Sequence, residues 1–128
     1  MDVLRSIVLI ACVAAFAPHA SAHHSASAEF DVSSRISVQG TLTKVDWINP
    51  HIFISIEREE GGTTETWEAE GAPPAWWRNV GVNRSTFAAN VGQHVIVEGM
   101  PARNGSHNMV LQKITFSSGE ILQSIPAK

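Results

Sequence analysis

His23 and His24 are the residues whose types and position could do the most chemistry, because they directly follow Ala20-Ser21-Ala22, which reads as a signal-peptidase site. Cleavage after Ala22 would make His23 the first mature residue. Its amine and imidazole could then grip a metal together, with a further histidine completing a brace. Alternatively, the amine, the deprotonated His24 amide and the His24 imidazole form a planar set. Both arrangements favour Cu(II), which prefers tetragonal nitrogen ligands and heads the divalent affinity series. A free α-amino group has an ordinary pKa of about 7.7–8.0, so its lone pair is accessible to a competing metal. Copper is therefore the cofactor these residues imply. The competing reading is a polar chain end without a role.

His51 follows Asn49-Pro50 at a corner between two apolar stretches, where loops present functional groups. It is the candidate third metal ligand, although proline and asparagine at a turn equally suit a structural corner. His94 and His107 have no partner at metal-site spacing and are expected to face solvent. Trp76 and Trp77 are adjacent and cannot share one helix face, so one is expected to plug a core and the other to lie near the surface. Both are candidate ligand or partner contacts. Trp47 and Trp67 alternate with polar residues and are expected in the core. No nucleophile elbow, Cys/His pair, His-Glu-x-x-His or phosphate loop is present, and the glutamates from Glu57 to Glu70 read as a solvated face. The balance leans away from an enzyme.

Residues 1–22 supply the rest of an export signal: Arg5 ends a short n-region and Ser6 to Ala17 form an apolar run. That run is well short of the ~20 residues needed to span a bilayer, so no stable membrane insertion is expected. The mature chain should be periplasmic or secreted. Leu9-Ile10-Ala11-Cys12 also resembles a lipobox, which would place a lipidated Cys12 at the mature terminus and abolish the His23 amine. Too few apolar residues precede Cys12 for this to be the better reading. Cys12 is the only cysteine, so a processed chain must rely on packing without disulfides. The formal net charge is −3 without a basic run, which excludes nucleic acid as an expected partner and leaves a small ligand or an envelope protein.

The elements that must position these residues are mostly strands. Residues 23–35 lack sustained periodicity and read as a flexible arm, and the domain proper is expected over 36–128. Ile36 to Trp47 alternates, with Gly40 marking a bulge or coil; His51 to Arg58 alternates again, Gly61-Gly62 makes a hairpin, and Thr63 to Glu70 returns. Pro73-Pro74 opens a short helix that Gly81 can end, with a second helical turn near Thr86 to Asn90. Strands resume over Gln93 to Ala102 and Asn108 to Phe116, and a last one is allowed at Glu120 to Ile125. Three strands, a short helix and two strands is the order of the OB-fold, a small Greek-key barrel. The fold class is thus all-β with one short helix; an open meander or sandwich is the alternative.

His23-His24-Ser25, Glu29-Phe30-Asp31, Gly40, the corner from Val45 to His51, Trp67-Glu68 and Val91-Gly92-Gln93-His94-Val95 together resemble a family of short, uncharacterised secreted bacterial proteins with a domain of unknown function. The resemblance spans nearly the whole mature chain. It departs at Val82, where a tryptophan is expected after Gly81, and at Gln93, where an aspartate is usual after Gly92. It implies export and a compact β domain, and it transfers no catalytic residue. The function expected is an exported non-enzymatic binding module of the bacterial envelope. The alternatives are a periplasmic copper protein using His23 and His24, and a copper-dependent oxidant.

Overall fold

The computed structural model describes residues 26–124. A helical turn α1 (Ala26–Glu29) leads into β1 (Ile36–Asp46), β2 (Phe53–Glu60) and β3 (Thr63–Glu70). Two short helices, α2 (Pro74–Asn79) and α3 (Arg84–Ala88), precede β4 (His94–Pro101), β5 (Asn108–Phe116) and β6 (Ile121–Gln123). The sheet order is β3-β2-β1-β4-β5-β6, and a further parallel pairing of Glu68–Glu70 with Asn108–Val110 joins β3 to β5. That pairing closes five strands into a barrel, with β6 added to β5, so the expected OB-like architecture is the one observed.

Closure depends on β1 serving two partners. Its first half, Ile36 to Thr41, pairs with β4, and its second half, Thr41 to Asp46, pairs with β2. The strand coils where the two overlap. A side chain at Gly40 would collide with the Glu57 backbone carbonyl, which explains the glycine there. The bulge itself lies at Thr43, between the Leu42 and Lys44 pairings, and Thr43 Oγ1 donates to the Ser55 carbonyl at 3.2 Å. A second register shift, between Glu98 and Gly99, leaves Gln112 of β5 as the extra residue. Gly99 lies against the Val110 carbonyl, again without room for a side chain.

The core follows strand alternation. Val38, Leu42, Ile54, Ile56, Ala69, Val95, Val97, Leu111 and Ile114 are all buried in one cluster. Proline opens α2 as expected, and its Trp77 is 1% exposed, inserted edge-on towards the fully buried Phe87 of α3 with centroids 5.3 Å apart. Phe87 in turn meets Phe116 and Trp47, each at 5.9 Å. The helices therefore plug one end of the barrel with a chain of tilted and edge-to-face rings. Asn83 N–H donates to Thr86 Oγ1 at 3.4 Å to start α3, and Gly81, at φ +81°, ends the preceding turn. Val82 is buried in the same cluster.

Residues 26–35 correct the expected arm. Phe30 is only 8% exposed and forms a satellite cluster with Met100 and Val110. The bulge at Gln112 makes this possible, because the change of parity on β5 turns Val110 away from the main core, to the face that Met100 already takes by alternation with Val95 and Val97 on β4. Phe30 bridges Ala102, Asp31 N–H donates to the Pro101 carbonyl at 2.9 Å, and Arg103 N–H donates to the Glu29 carbonyl at 2.9 Å. Packing of Phe30 and the hydrogen bonds of Glu29 and Asp31 therefore extend the folded unit before Ile36, and residues 23–25 lie outside the described residues. No helix among the described residues is long and apolar enough to cross a membrane.

Candidate functional site at the barrel mouth

Cross-strand pairs on the inward face of β2 and β3 change character along the hairpin. Ile54–Ala69 is fully buried, Ile56–Trp67 comes next, and Arg58–Glu65 follows before the Gly61-Gly62 turn. As the hairpin leaves the barrel, its inner face therefore passes from apolar to aromatic to ionic. Trp67 is half-buried against the core cluster, which corrects its expected place inside the core, and the same holds for Trp47.

The β4–β5 loop supplies the fourth residue. Glu68 N–H donates to the His107 carbonyl at 2.9 Å, pinning the loop to β3, and the His107 ring stacks on Trp67 with centroids 4.7 Å apart and planes 18° from parallel. His107 is thus partnered, although its side chain remains 45% exposed. Arg58 Cζ lies 5.5 Å from the centre of the Trp67 ring, within cation–π range, while its Nε donates to Glu65 Oε2 at 2.9 Å. Trp67 Nε1 also donates to Glu65 Oε2, at 3.4 Å, and His107 Nε2 stands 4.0 Å from Glu65 Oε1. Glu65 ties the four groups together. Its carboxyl is held below the usual carboxylate range, first by the Arg58 hydrogen bond, then by the Trp67 hydrogen bond and the charges of Arg58 and His107, with burial opposing.

The outward face of the same strands carries Glu57, Glu59, Glu68 and Glu70, by alternation from the inward pairs. Lys44 on β1 is paired with Asp46 at 2.6 Å, and that hydrogen bond holds its ammonium above the usual lysine range. The β2–β3 surface is consequently acidic, and its inward edge carries an arginine-bearing aromatic stack.

The remaining candidates fall elsewhere. His51 sits after the cis Asn49–Pro50 bond, and its Nδ1 is engaged by the Glu70 carboxylate, a partner on β3 that sequence spacing did not reveal. Among the described residues, no group of three or more His, Cys, Asp or Glu side chains is arranged to hold a metal. His23 and His24 lie outside the described residues. Trp77, expected as a possible contact, is the barrel plug and is closed to ligands, whereas half-buried Trp76 packs edge-on against it at 4.9 Å. His94 is exposed as expected. Sequence reasoning missed the Arg58–Glu65–Trp67–His107 set. The only local signal was the period-two placement of Arg58, Glu65 and Trp67 around a Gly-Gly turn.

Two crystal structures of the mitochondrial single-stranded DNA-binding protein Rim1 from S. cerevisiae match the fold, the second from selenomethionine-labelled protein. Their TM-scores are 0.48 and 0.45 at 17% and 16% identity, each covering 72% of this chain and 96% of the other. Likeness at this level concerns the fold alone. It nevertheless corrects the expectation that excluded nucleic acid from the net charge, because proteins described as single-stranded DNA-binding share this architecture. No curated protein matches the sequence. A family model does match, over residues 9–111, and the chain belongs to that family, DUF6152, a family of unknown function.

Proposed function

We propose that the chain is an exported, non-enzymatic binding module of the bacterial envelope that receives its ligand at the mouth formed by Arg58, Glu65, Trp67 and His107. The observation that carries this reading is the Trp67–His107 stack, in which a half-buried indole is covered by a half-exposed imidazole from the β4–β5 loop. In OB-folds the second and third strands and the loop between the fourth and fifth are the general binding region, and planar groups stack there on aromatic side chains. The export half of the reading rests on Ala20-Ser21-Ala22. The test is tryptophan fluorescence of natively exported protein, first sequenced from its N-terminus, titrated with oligodeoxythymidylate and separately with a chito-oligosaccharide. A saturable change with either probe that is lost in His107→Ala supports the mouth as the binding surface. Silence to both probes in folded protein would remove it, and a start other than His-His-Ser would overturn the proposed processing.

A second reading, copper binding through His23 and His24, gains one specific support. Residues 26–30 are tied to the β4–β5 loop through Ser27, Glu29 and Phe30. Three residues of fully extended chain reach about 10–11 Å, which bounds how far a His23 amine ranges from Ala26. His107 lies on that same loop, while the His51 imidazole is taken up by Glu70. His107 therefore replaces His51 as the favoured third ligand. Cu(II) should bind the cleaved protein more tightly than a version with one residue added before His23, and His107→Ala should weaken binding more than His51→Ala. Equal titrations of the cleaved and extended forms would remove this reading.

A further inference from the structure

A cleft of about 380 Å³ lies between α1 and the β4–β5 loop, lined by Glu29, Phe30, Arg103, Ser106 and Asn108 among others. It falls within the roughly 300–1,000 Å³ typical of small-ligand sites. We propose that this cleft binds a small zwitterion of the amino-acid type, with Arg103 receiving its carboxylate and Glu29 its ammonium.

Three observations carry the assignment. Arg103 Nε donates to the Ser27 carbonyl at 3.0 Å, which fixes the guanidinium while leaving its terminal nitrogens without an ion-pair partner among the described residues. A tethered guanidinium presents two parallel N–H donors, the geometry that a carboxylate accepts bidentately. Glu29 lines the same cleft, and its carboxylate likewise forms no ion pair among the described residues, so opposite charges border one space without pairing with each other. Asp31, the other acid that senses Arg103, is already satisfied by hydrogen bonds from Ser33 and Ser34. Finally, Ser106 Oγ is buried with no hydrogen-bond partner, although Ser106 N–H is held at 2.9 Å by Asn104 Oδ1. The hydroxyl lies just beneath the cleft wall, so a small movement of the loop on ligand binding would give it a partner. This site is independent of the barrel-mouth reading and of copper.

The experiment is amide NMR of the mature chain titrated with glycine, acetate and methylammonium in turn. Glycine should shift the Arg103, Ser106 and Asn108 amides saturably, and each half-ligand should bind more weakly. Arg103→Gln should raise the glycine Kd roughly tenfold, the size expected for loss of a charge-assisted pair. Ser106→Ala, which leaves both charges in place, should raise it by a smaller factor while the rest of the amide spectrum is retained. Shifts equally strong with acetate alone, unaltered binding in Arg103→Gln, or no loop response to glycine would each overturn the proposal.

Discussion

The His107 ring covers Trp67 at 4.7 Å, joining two residues that stand forty positions apart, one in the β4–β5 loop and the other on β3. This contact makes the β4–β5 loop part of the mouth, because the Glu68–His107 backbone hydrogen bond positions the loop and the stack positions its side chain. His107→Ala should uncover the indole and shift Trp67 emission to the red with little effect on the melting temperature. A Trp67→Phe background, in which the change disappears, identifies the reporting residue.

Trp77 fills the barrel end, yet its indole Nε1 is buried without a hydrogen-bond partner. Trp77→Ala should therefore cost about 3–5 kcal/mol. Trp77→Phe keeps the edge-to-face contact with Phe87 and removes the unsatisfied donor, so its cost should stay below about 1.5 kcal/mol. Urea denaturation of the two variants checks the difference.

Phe30 anchors the segment before β1. Phe30→Ala should destabilise the domain by about 3 kcal/mol, the lower end for a buried phenylalanine because its cluster is small. Hydrogen exchange should accelerate at Phe30 and Asp31, whose amides bond to Ala26 and Pro101. Unchanged exchange and unchanged stability would show that the segment is not anchored by this ring.

Asp31 should contribute to acid stability. Hydrogen bonds from the Ser33 and Ser34 hydroxyls, and then from the Ser33 amide, hold its carboxyl at about 2 rather than 3.8. A carboxyl depressed on folding stabilises fully above its ordinary pKa, and that contribution is lost as pH falls from about 3.8 towards 2. Carboxyl-carbon NMR should report the low midpoint, and Asp31→Asn should flatten this part of the acid-unfolding profile.

Gly40→Ala and Gly99→Ala should both be severely destabilising, since the added carbon meets backbone carbonyls of Glu57 and Val110 that cannot rotate away. Each should cost about 2 kcal/mol or more, in the range of substitutions that force overpacking. Gly61→Ala is the contrasting case: nothing lies near its added carbon, and only the positive φ of 57° opposes it.

Much of the architecture was legible locally. Period-two alternation over β2, β3 and β5, the Gly61-Gly62 turn, and proline at the start of α2 are properties of a few neighbouring residues, so the sequence alone determined the succession of elements along the chain, while the pairing of β3 with β5 decided for the barrel over an open meander or sandwich. Tertiary structure decided what depends on parity and on distant partners. The extra residue at Gln112 shifts the parity of β5 and turns Val110 to the outer face that Met100 already occupies by alternation with Val95 and Val97, which creates the seat for Phe30, so residues 26–35 fold although they have no periodicity of their own. The same dependence hid the mouth. Glu65 reads as part of a solvated face and Trp67 as core until β3 pairs with β5, and only that closure brings His107 onto the indole. A local pattern records which face of a strand a side chain occupies, whereas burial and stacking are set by what chain closure places opposite it.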